Sequence, residues 1–552
     1  MSSNMYFRFS LPWVILLSAC GGGGGDSSAP AVTPPASVFA ADENPVLRDD
    51  PAVYAVEETA RVLQADITTR DGIYTLAQVD ADIDDTDAVT PEVEAHIRTD
   101  NYADDGKAVN ATLRLRGHSS RLADQKSYRV KLASGSALWR GESTFQLNKH
   151  PYDLTRVRNK LAFDLFRDIP HLPSLRTQFV HVTLNGQDYG LFTHVEKMGK
   201  EYLLNRGLPT DGNIYKAEDF SFLVNGNLAL DAAGKPLSKT DFEKTLSLEA
   251  DNKDHRLLLQ MLAEINDPDL PFDQTFERYF DKSNYLTWLA VNVLMGNRDT
   301  VNQNFALYQP KGSEKFYFLP WDYDGSLGFE GQPDILAANN LYDDWQLGIS
   351  NWWGVGLHRR FMSDPKHLQE VVMAVDEIRT NYLAPSRIQA KLAVYRPQVR
   401  PWVAAVPDLD YLPAVDADRM KEWDAEFARL ANVIQTNRDL FVASLQKPMP
   451  YFQAAEQLPD GSGLRLGWDA SHDFQGGNLT YHVRVSESPG FETTVVDRTV
   501  SNVTEVVVPV PAVGVYYLKV EVSDNSGHRQ LAFDRLDQAG KTYFGVLEFT
   551  VN

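Results

Sequence analysis

The chain has 552 residues, 43% of them hydrophobic and 23% charged, which is long enough for several packed units and too apolar for wholesale disorder. Its 53 Lys and Arg stand against 75 Asp and Glu, a formal charge of −22. That balance excludes a nucleic-acid backbone as the main partner, because such binders cluster positive charge. A single cysteine excludes an intramolecular disulfide and any Cys-cluster metal site.

Residues 1–20, MSSNMYFRFSLPWVILLSAC, carry Arg8 and a short apolar run, Leu11 to Leu17. The run is too short to span a bilayer and fits the h-region of a signal peptide. Leu17-Ser18-Ala19-Cys20 resembles the bacterial lipobox, which implies a cleaved leader (1–19) and lipidation of Cys20. An ordinary signal peptide with a Cys at its cleavage site is the alternative. Lipidation predicts an exported protein anchored to the membrane of the bacterial cell envelope, at the outer membrane or cell surface. Residues 20–44 are rich in Gly, Ser and Pro and read as a flexible tether.

Residues 45–110 are acidic with alternating apolar positions. Asp80, Asp82, Asp84, Asp85 and Asp87 invite a calcium-loop reading, but Asp85 and Pro91 stand where that loop needs Gly and Glu, so a solvated turn is expected. Residues 111–132 read as a β-hairpin around a Gly/Ser loop, and 154–168 as a helix. FVHVTLNGQDYGLFTHVEK reads as a hairpin turning at Asn185-Gly186. Residues 215–255 are charged and irregular, and are expected to form an insertion or lid-like excursion. Asp281–Leu294 is a predicted helix, capped by Asp281 or Ser283 and ended by Gly296. Strands FALY and KFYFL follow it, and then helical stretches at about 364–396 and 416–446. From Lys447 short alternating strands recur, and 448–552 reads as a β-sandwich. Trp468, Tyr481 and Tyr516/Tyr517 stand where fibronectin type III domains place core aromatics. That resemblance implies a spacer or binding module.

The chemistry concentrates between Asn297 and Gly328. Asp299 follows the helix, Asn304 comes five residues later, a hairpin intervenes, and Asp322 and Asp324 come next. Phosphoryl transfer needs one carboxylate to orient the attacking hydroxyl, and a second carboxylate with an amide oxygen to hold a divalent metal. The Asp-x4-Asn spacing equals that of the protein-kinase catalytic loop, and D-Y-D-G stands where a kinase keeps D-F-G. The loop Arg116-Gly117-His118-Ser119-Ser120 could donate to phosphates through its N–H groups and through the Ser119 and Ser120 hydroxyls. Lys126 opens the next strand, as the phosphate-binding Lys of kinases does.

LRLRGHSS with QKSYRVKL, LNGQDYGLFTHVEK, NRDTVNQNFALY, FLPWDYDGSLG and the Trp423–Arg438 helix together resemble the CotH family of spore-coat-type atypical protein kinases. The resemblance covers about residues 65–445. It implies an α+β, two-lobed, protein-kinase-like domain (45–447) ahead of the all-β immunoglobulin-like sandwich. It implies ATP and Mg²⁺ or Mn²⁺ as cofactors, and transfer of the γ-phosphoryl group to Ser of partner proteins. By position it makes Asp299 the catalytic aspartate, Asp322 and Asn304 metal ligands with Asp324 beside them, and Lys126 the nucleotide contact. Three departures stand out: His118 replaces the usual Asn, Gln125 replaces a frequent Lys, and helix 154–168 holds no Glu to pair with Lys126.

Blander readings exist for each residue. Asp299 could cap a turn, Lys126 could end a strand in solvent, and Ser119 and Ser120 could simply form a turn. Asp322 and Asp324 could be a glycosidase pair on one strand face. Glu196 is expected to cap its hairpin or the helix after it. His118, His181 and His194 are too dispersed to ligate one metal. Trp345, Trp352 and Trp353 could be a binding platform or core. The competing function is a catalytically inactive, kinase-like surface protein for binding or assembly.

Overall fold

A computed structural model describes residues 39, 49–84, 89–102, 106–338 and 344–552. The predicted leader, the tether with Cys20, Asp85 and Asp87 lie outside the described residues or at their edge. Among the described residues, no helix is long and apolar enough to cross a membrane.

Seven strands close into a barrel: β1 (Leu63–Arg70), β2 (Val93–Thr99), β3 (Ala111–Leu115), β4 (Tyr128–Leu132), β5 (Thr144–Asn148), β6 (Thr177–Leu184) and β7 (Gln187–Glu196). Their order is β1-β2-β3-β4-β5-β7-β6, and β6 closes the ring by pairing parallel to β1. Alternation decides what faces inward. β3 buries Ala111, Leu113 and Leu115, and β4 buries Tyr128, Val130 and Leu132, so Arg114 and Arg129 project outward. The register sets those two arginines directly opposite each other. The β6–β7 hairpin turns at Asn185 (φ 53°) and Gly186 (φ 76°), both left-handed, as a two-residue Asn-Gly turn requires.

A second sheet has the order β11-β10-β8-β9, built from β8 (Asn213–Ala217), β9 (Leu246–Ala250), β10 (Phe305–Gln309) and β11 (Tyr317–Pro320). The stretch 215–255 is irregular only in its middle. Its two ends supply strands of this sheet; between them 218–238 is mostly irregular around the 3-10 turn Gly226–Leu228 and leads into the helix Lys239–Thr245. Its strands are five residues each, too short and too charged to announce themselves, and pairing with β10 decides their state.

The helix Lys282–Met295 runs behind this sheet. The Asp281 carboxylate accepts the Asn284 N–H at 2.9 Å, and Gly296 (φ 63°) ends the helix. It is buried on every side from Asn284 to Met295, not along one stripe. The two long helical stretches are each divided. One becomes Pro365–Asn381 and Pro385–Val403, the second opening on Pro385. The other becomes Arg419–Arg429 and Val433–Ser444, joined by a 3-10 turn.

Two larger sheets and the two-stranded hairpin Arg535–Gln538 with Lys541–Phe544 make up the C-terminal unit. Of the larger sheets, one holds Gln453–Gln457, Leu464–Trp468 and Glu505–Val508; the other centres on Thr480–Ser486 and Gly514–Ser523. Trp468 packs on Tyr481 with ring centroids 5.2 Å apart, and the Tyr516 hydroxyl donates to the Ala512 carbonyl at 3.0 Å. The three tryptophans are core. Trp345 meets Phe533 at 5.2 Å, Trp352 is buried, and Trp353 stacks on His472 at 5.2 Å with Phe474 at 5.6 Å. Trp345 and Trp353 thus fasten the helical region to the sandwich. Trp353→Ala is expected to cost about 3–5 kcal/mol and to split calorimetric unfolding into two transitions. An unshifted single transition would contradict that coupling.

Candidate functional site

The metal loop follows β11. The register pairs Phe305 with Pro320, so Asn304 precedes and Trp321-Asp322 follow the last pair of the β10–β11 ladder at the same end. Both Asn304 (φ 59°) and Asp322 (φ 53°) adopt left-handed backbone. Asn and Asp tolerate that region better than most residues, and such conformations concentrate at functional sites. The strand therefore ends at Pro320, and Asp322 and Asp324 are not alternate residues on a strand face as the glycosidase reading requires. The turn brings them close enough all the same that each carboxyl group shifts the titration of the other.

Asp299 lies in the 3-10 turn Arg298–Thr300, which Thr300 closes by donating to the Asn297 carbonyl at 2.8 Å. Asn297 in turn donates to the Asp322 carbonyl at 3.1 Å, so the two loops are tied through main chain. A Cβ on Gly325 would lie 3.6 Å from Asp299 Oδ2, which places the carboxylate beside the metal loop.

Electrostatics follow from this crowding. Burial first, and then the neighbouring Asp324, raise Asp322 to about 7, against the opposing charge of Arg116. Asp324 is itself held low: burial would raise it, but the hydrogen bond from His150 and the charge of Arg116 oppose that. Asp299 is exposed at the surface, yet desolvation by the protein packed around it, then Glu330 and Asp324, push it up to about 6, with Arg298 opposing.

The sequence-predicted phosphate loop is a tight turn. Gly117 has φ 89°, and a Cβ there would come within 2.0 Å of Ser120 Oγ. Ser120 bonds back to the Arg116 carbonyl at 3.5 Å, while Ser119 is exposed and its carbonyl accepts the Tyr152 hydroxyl at 3.1 Å. Lys126 does not reach toward Asp322. Its ammonium donates to the Arg121 carbonyl at 2.7 Å, and Arg121 binds the Gly117 carbonyl and Asp82, so both cations brace the loop from behind. Arg116 is the cation whose charge acts on Asp322 and Asp324, and its guanidinium is steadied by Asn148. Arg114 and Arg129 extend this basic face, with Glu249 of β9 nearby. The Nε–H groups of both are buried without a hydrogen-bond acceptor. Like charges directly opposite on paired strands are unfavourable, and Glu92, 3.9 Å from Arg114 Nε, and Glu249 offset part of that charge. Sequence reasoning passed over these arginines, although the alternation in LRLRG and SYRVKL marks them as one outward face.

Two further residues were missed. His150 Nδ1 lies 3.0 Å from Asp324 Oδ2, and Asn159 accepts the Tyr323 N–H at 3.0 Å. Nothing in the string NKHP or in the helix pattern points at the metal loop. Glu196 is buried against Arg176 and Arg206. His181 and His194 pair with Asp188 and Glu142, far apart in the barrel wall.

The family model described as CotH kinase protein matches residues 113–441. This chain belongs to the CotH kinase family. It is 30% identical over 236 residues to the inner spore coat protein H of Bacillus subtilis (strain 168), which is 42% of this chain and 63% of that protein. The match thus spans less than two thirds of the relative's length. Among solved structures, the Helicobacter pylori proinflammatory kinase CtkA is similar at 12% identity and a TM-score of 0.26, over 56% of this chain and 94% of that one. HipA of the Shewanella oneidensis MR-1 toxin–antitoxin system is similar at 14% identity and a TM-score of 0.27, over 58% and 66%. Both TM-scores are too low for either likeness to bear on the fold. Membership places the CotH-type region, at the level of the family, among atypical protein kinases.

The residues fit a divalent cation. Asn304, Asp322 and Asp324 offer hard oxygen donors, the ligand type of Mg²⁺ and Mn²⁺. Among the described residues no three His, Cys, Asp or Glu side chains form a ready cage. Mg²⁺ in phosphoryl transfer commonly takes one or two carboxylates and completes its shell from phosphates and water.

Proposed function

We propose that this chain is an ATP-dependent protein kinase that transfers the γ-phosphoryl group to a Ser hydroxyl of surface or secreted partner proteins. The observation that carries it is the convergence of Asp299, Asp322 and Asp324 on one junction, with Arg116 acting on the last two and Arg114 and Arg129 further along the same barrel face. Asp299 orients the acceptor hydroxyl and takes its proton. Asp322 and Asn304, with Asp324, hold the metal, which when bound neutralises phosphate charge. Arg116, Arg114 and Arg129 receive the phosphate oxygens from the barrel side, the role that sequence position gives to Lys126. Main-chain N–H groups of the Gly117–Ser120 turn cover them. The region from the barrel to Lys447 then acts as a two-lobed domain, and the C-terminal sandwich is a fibronectin type III-like spacer or binding module.

The test is label transfer from γ-labelled ATP to the chain itself and to envelope proteins, with Mg²⁺ or Mn²⁺. Transfer that depends on Asp299 and Asp322 is expected. No transfer and no metal-dependent nucleotide binding would favour the inactive binding or assembly protein. That second reading draws on one observation: Asp164, the acidic residue within the helix Arg158–Phe166, is taken up by Lys160 at 3.0 Å and by Arg167, not by Lys126.

Arg129→Ala is expected to weaken nucleotide binding about tenfold while leaving the melting temperature within a degree or two of wild type. Titration with a fluorescent ATP analogue reads this, and unchanged affinity would remove Arg129 from the phosphate site. We also propose that Cys20 is lipidated and anchors the protein to the cell envelope. Cys20→Ser should move it from the membrane fraction to the soluble one, and unchanged fractionation would refute the anchor.

A further inference from the structure

The helix that lacks a carboxylate for Lys126 makes a different connection. The Tyr323 N–H donates to Asn159 Oδ1 at 3.0 Å, which fixes the amide so that Asn159 Nδ2 faces His150 Nε2 at 3.4 Å. An amide N–H can only donate, so Nε2 accepts and the ring proton sits on Nδ1. Nδ1–H then donates to Asp324 Oδ2 at 3.0 Å. The chain of bonds leaves the metal loop at its main chain and returns to it at a side chain two residues on.

Neither relay residue can drift. Asn159 lies on the buried helix Arg158–Phe166, and the His150 ring is buried. His150 itself has left-handed backbone, φ 49°. Arg156 clamps that turn by donating to the carbonyls of Lys149 at 2.9 Å and His150 at 2.7 Å. Lys149 beside it reaches Asp408 at 2.6 Å, beyond the helix Pro385–Val403. Tyr323, between the two aspartates, is held from the other side by Asn292, which accepts its hydroxyl at 2.9 Å.

We infer that Asn159 and His150 are positioning residues that set the Asp322–Asp324 loop for metal binding, linking the buried helix to the metal loop where a Lys–carboxylate pair is missing. The inference rests on the metal-site reading above. Outer partners of this kind orient the ligating carboxylate and are commonly worth 10–100-fold in metal affinity. His150→Phe keeps the ring volume and removes the donor. His150→Asn returns an N–H near the position of Nδ1.

Two measurements on the full chain test it. Selective ¹⁵N-histidine NMR of the metal-free wild type should find His150 protonated on Nδ1 alone; a proton on Nε2 overturns the relay. Mn²⁺ affinity in the presence of ADP, read by electron paramagnetic resonance, should fall by about 10–100-fold in His150→Phe and stay within about threefold of wild type in His150→Asn. Asn159→Ala should lose affinity as His150→Phe does, and serves in its place should that variant not fold. A folded His150→Phe with wild-type affinity overturns the inference, as does a folded His150→Asn no better than His150→Phe. Wild type that binds no Mn²⁺ refutes the metal-site reading itself and the inference with it. Mn²⁺ binding with the wrong tautomer refutes the relay alone.

Discussion

On the proposed kinase reading, Asp299→Asn is expected to lower the phosphoryl-transfer rate by about 10³-fold, with the KM for ATP changed by less than about threefold. The substitution keeps the shape of the side chain and its place against Gly325, but removes the proton acceptor. Nucleotide and metal contacts lie on other elements, so ground-state binding survives. The same residue sets the pH dependence. Desolvation by the surrounding protein, then Glu330 and Asp324, raises the surface-exposed Asp299 to about 6. It accepts a proton only when ionised, so the rate should climb as pH rises through about 6 and then level off. Single-turnover measurements between about pH 5 and pH 8 read both effects. A rate in Asp299→Asn within tenfold of wild type would remove this residue from the chemistry.

Asp322→Asn is the second large effect, and it has two opposite signs. Metal affinity should fall by about 10²-fold or more, because the variant loses an anionic ligand. Stability without metal should improve at high pH. Asp322 is raised to about 7 in the folded chain, by burial and then by Asp324, against about 3.9 for an unfolded Asp. The folded state therefore binds more protons than the unfolded state between those values, and its stability declines as pH rises from about 4 to 7. Asn removes that decline. Urea unfolding in EDTA should show Asp322→Asn gaining on wild type at pH 8 and matching it more closely near pH 4. The reverse order would mean that the Asp322–Asp324 pair is not under strain, and the case for a missing cation would weaken.

Local signals made much of the architecture readable. Alternation in LRLRG and SYRVKL, the Asn185-Gly186 turn, and Asp281 with Gly296 around an apolar run each carry their cause within a few residues. Such signals place strands and helices without knowledge of what lies opposite. They failed at 213–250, where two five-residue strands depend on pairing with β10. They failed again at Lys126. Sequence order puts that residue where a kinase keeps its lysine, yet its strand parity and the closeness of the Arg121 carbonyl turn its ammonium into the loop.

The sequence by itself determined the spacing of Asp299, Asn304 and Asp322 along the chain, because helix end, loop and hairpin are consecutive. It also determined the family, the C-terminal strands and the aromatic core around Trp468. Only the tertiary structure decided that Asp322 and Asp324 meet through a left-handed turn, that Arg116 and not Lys126 faces them, and that Trp345 and Trp353 fasten two units together. It alone joined His150 and Asn159 to a loop more than 160 residues further along the chain. Hydrogen bonds and charges act over a few ångströms in space, whereas sequence patterns report only what a residue does within its own strand or helix turn.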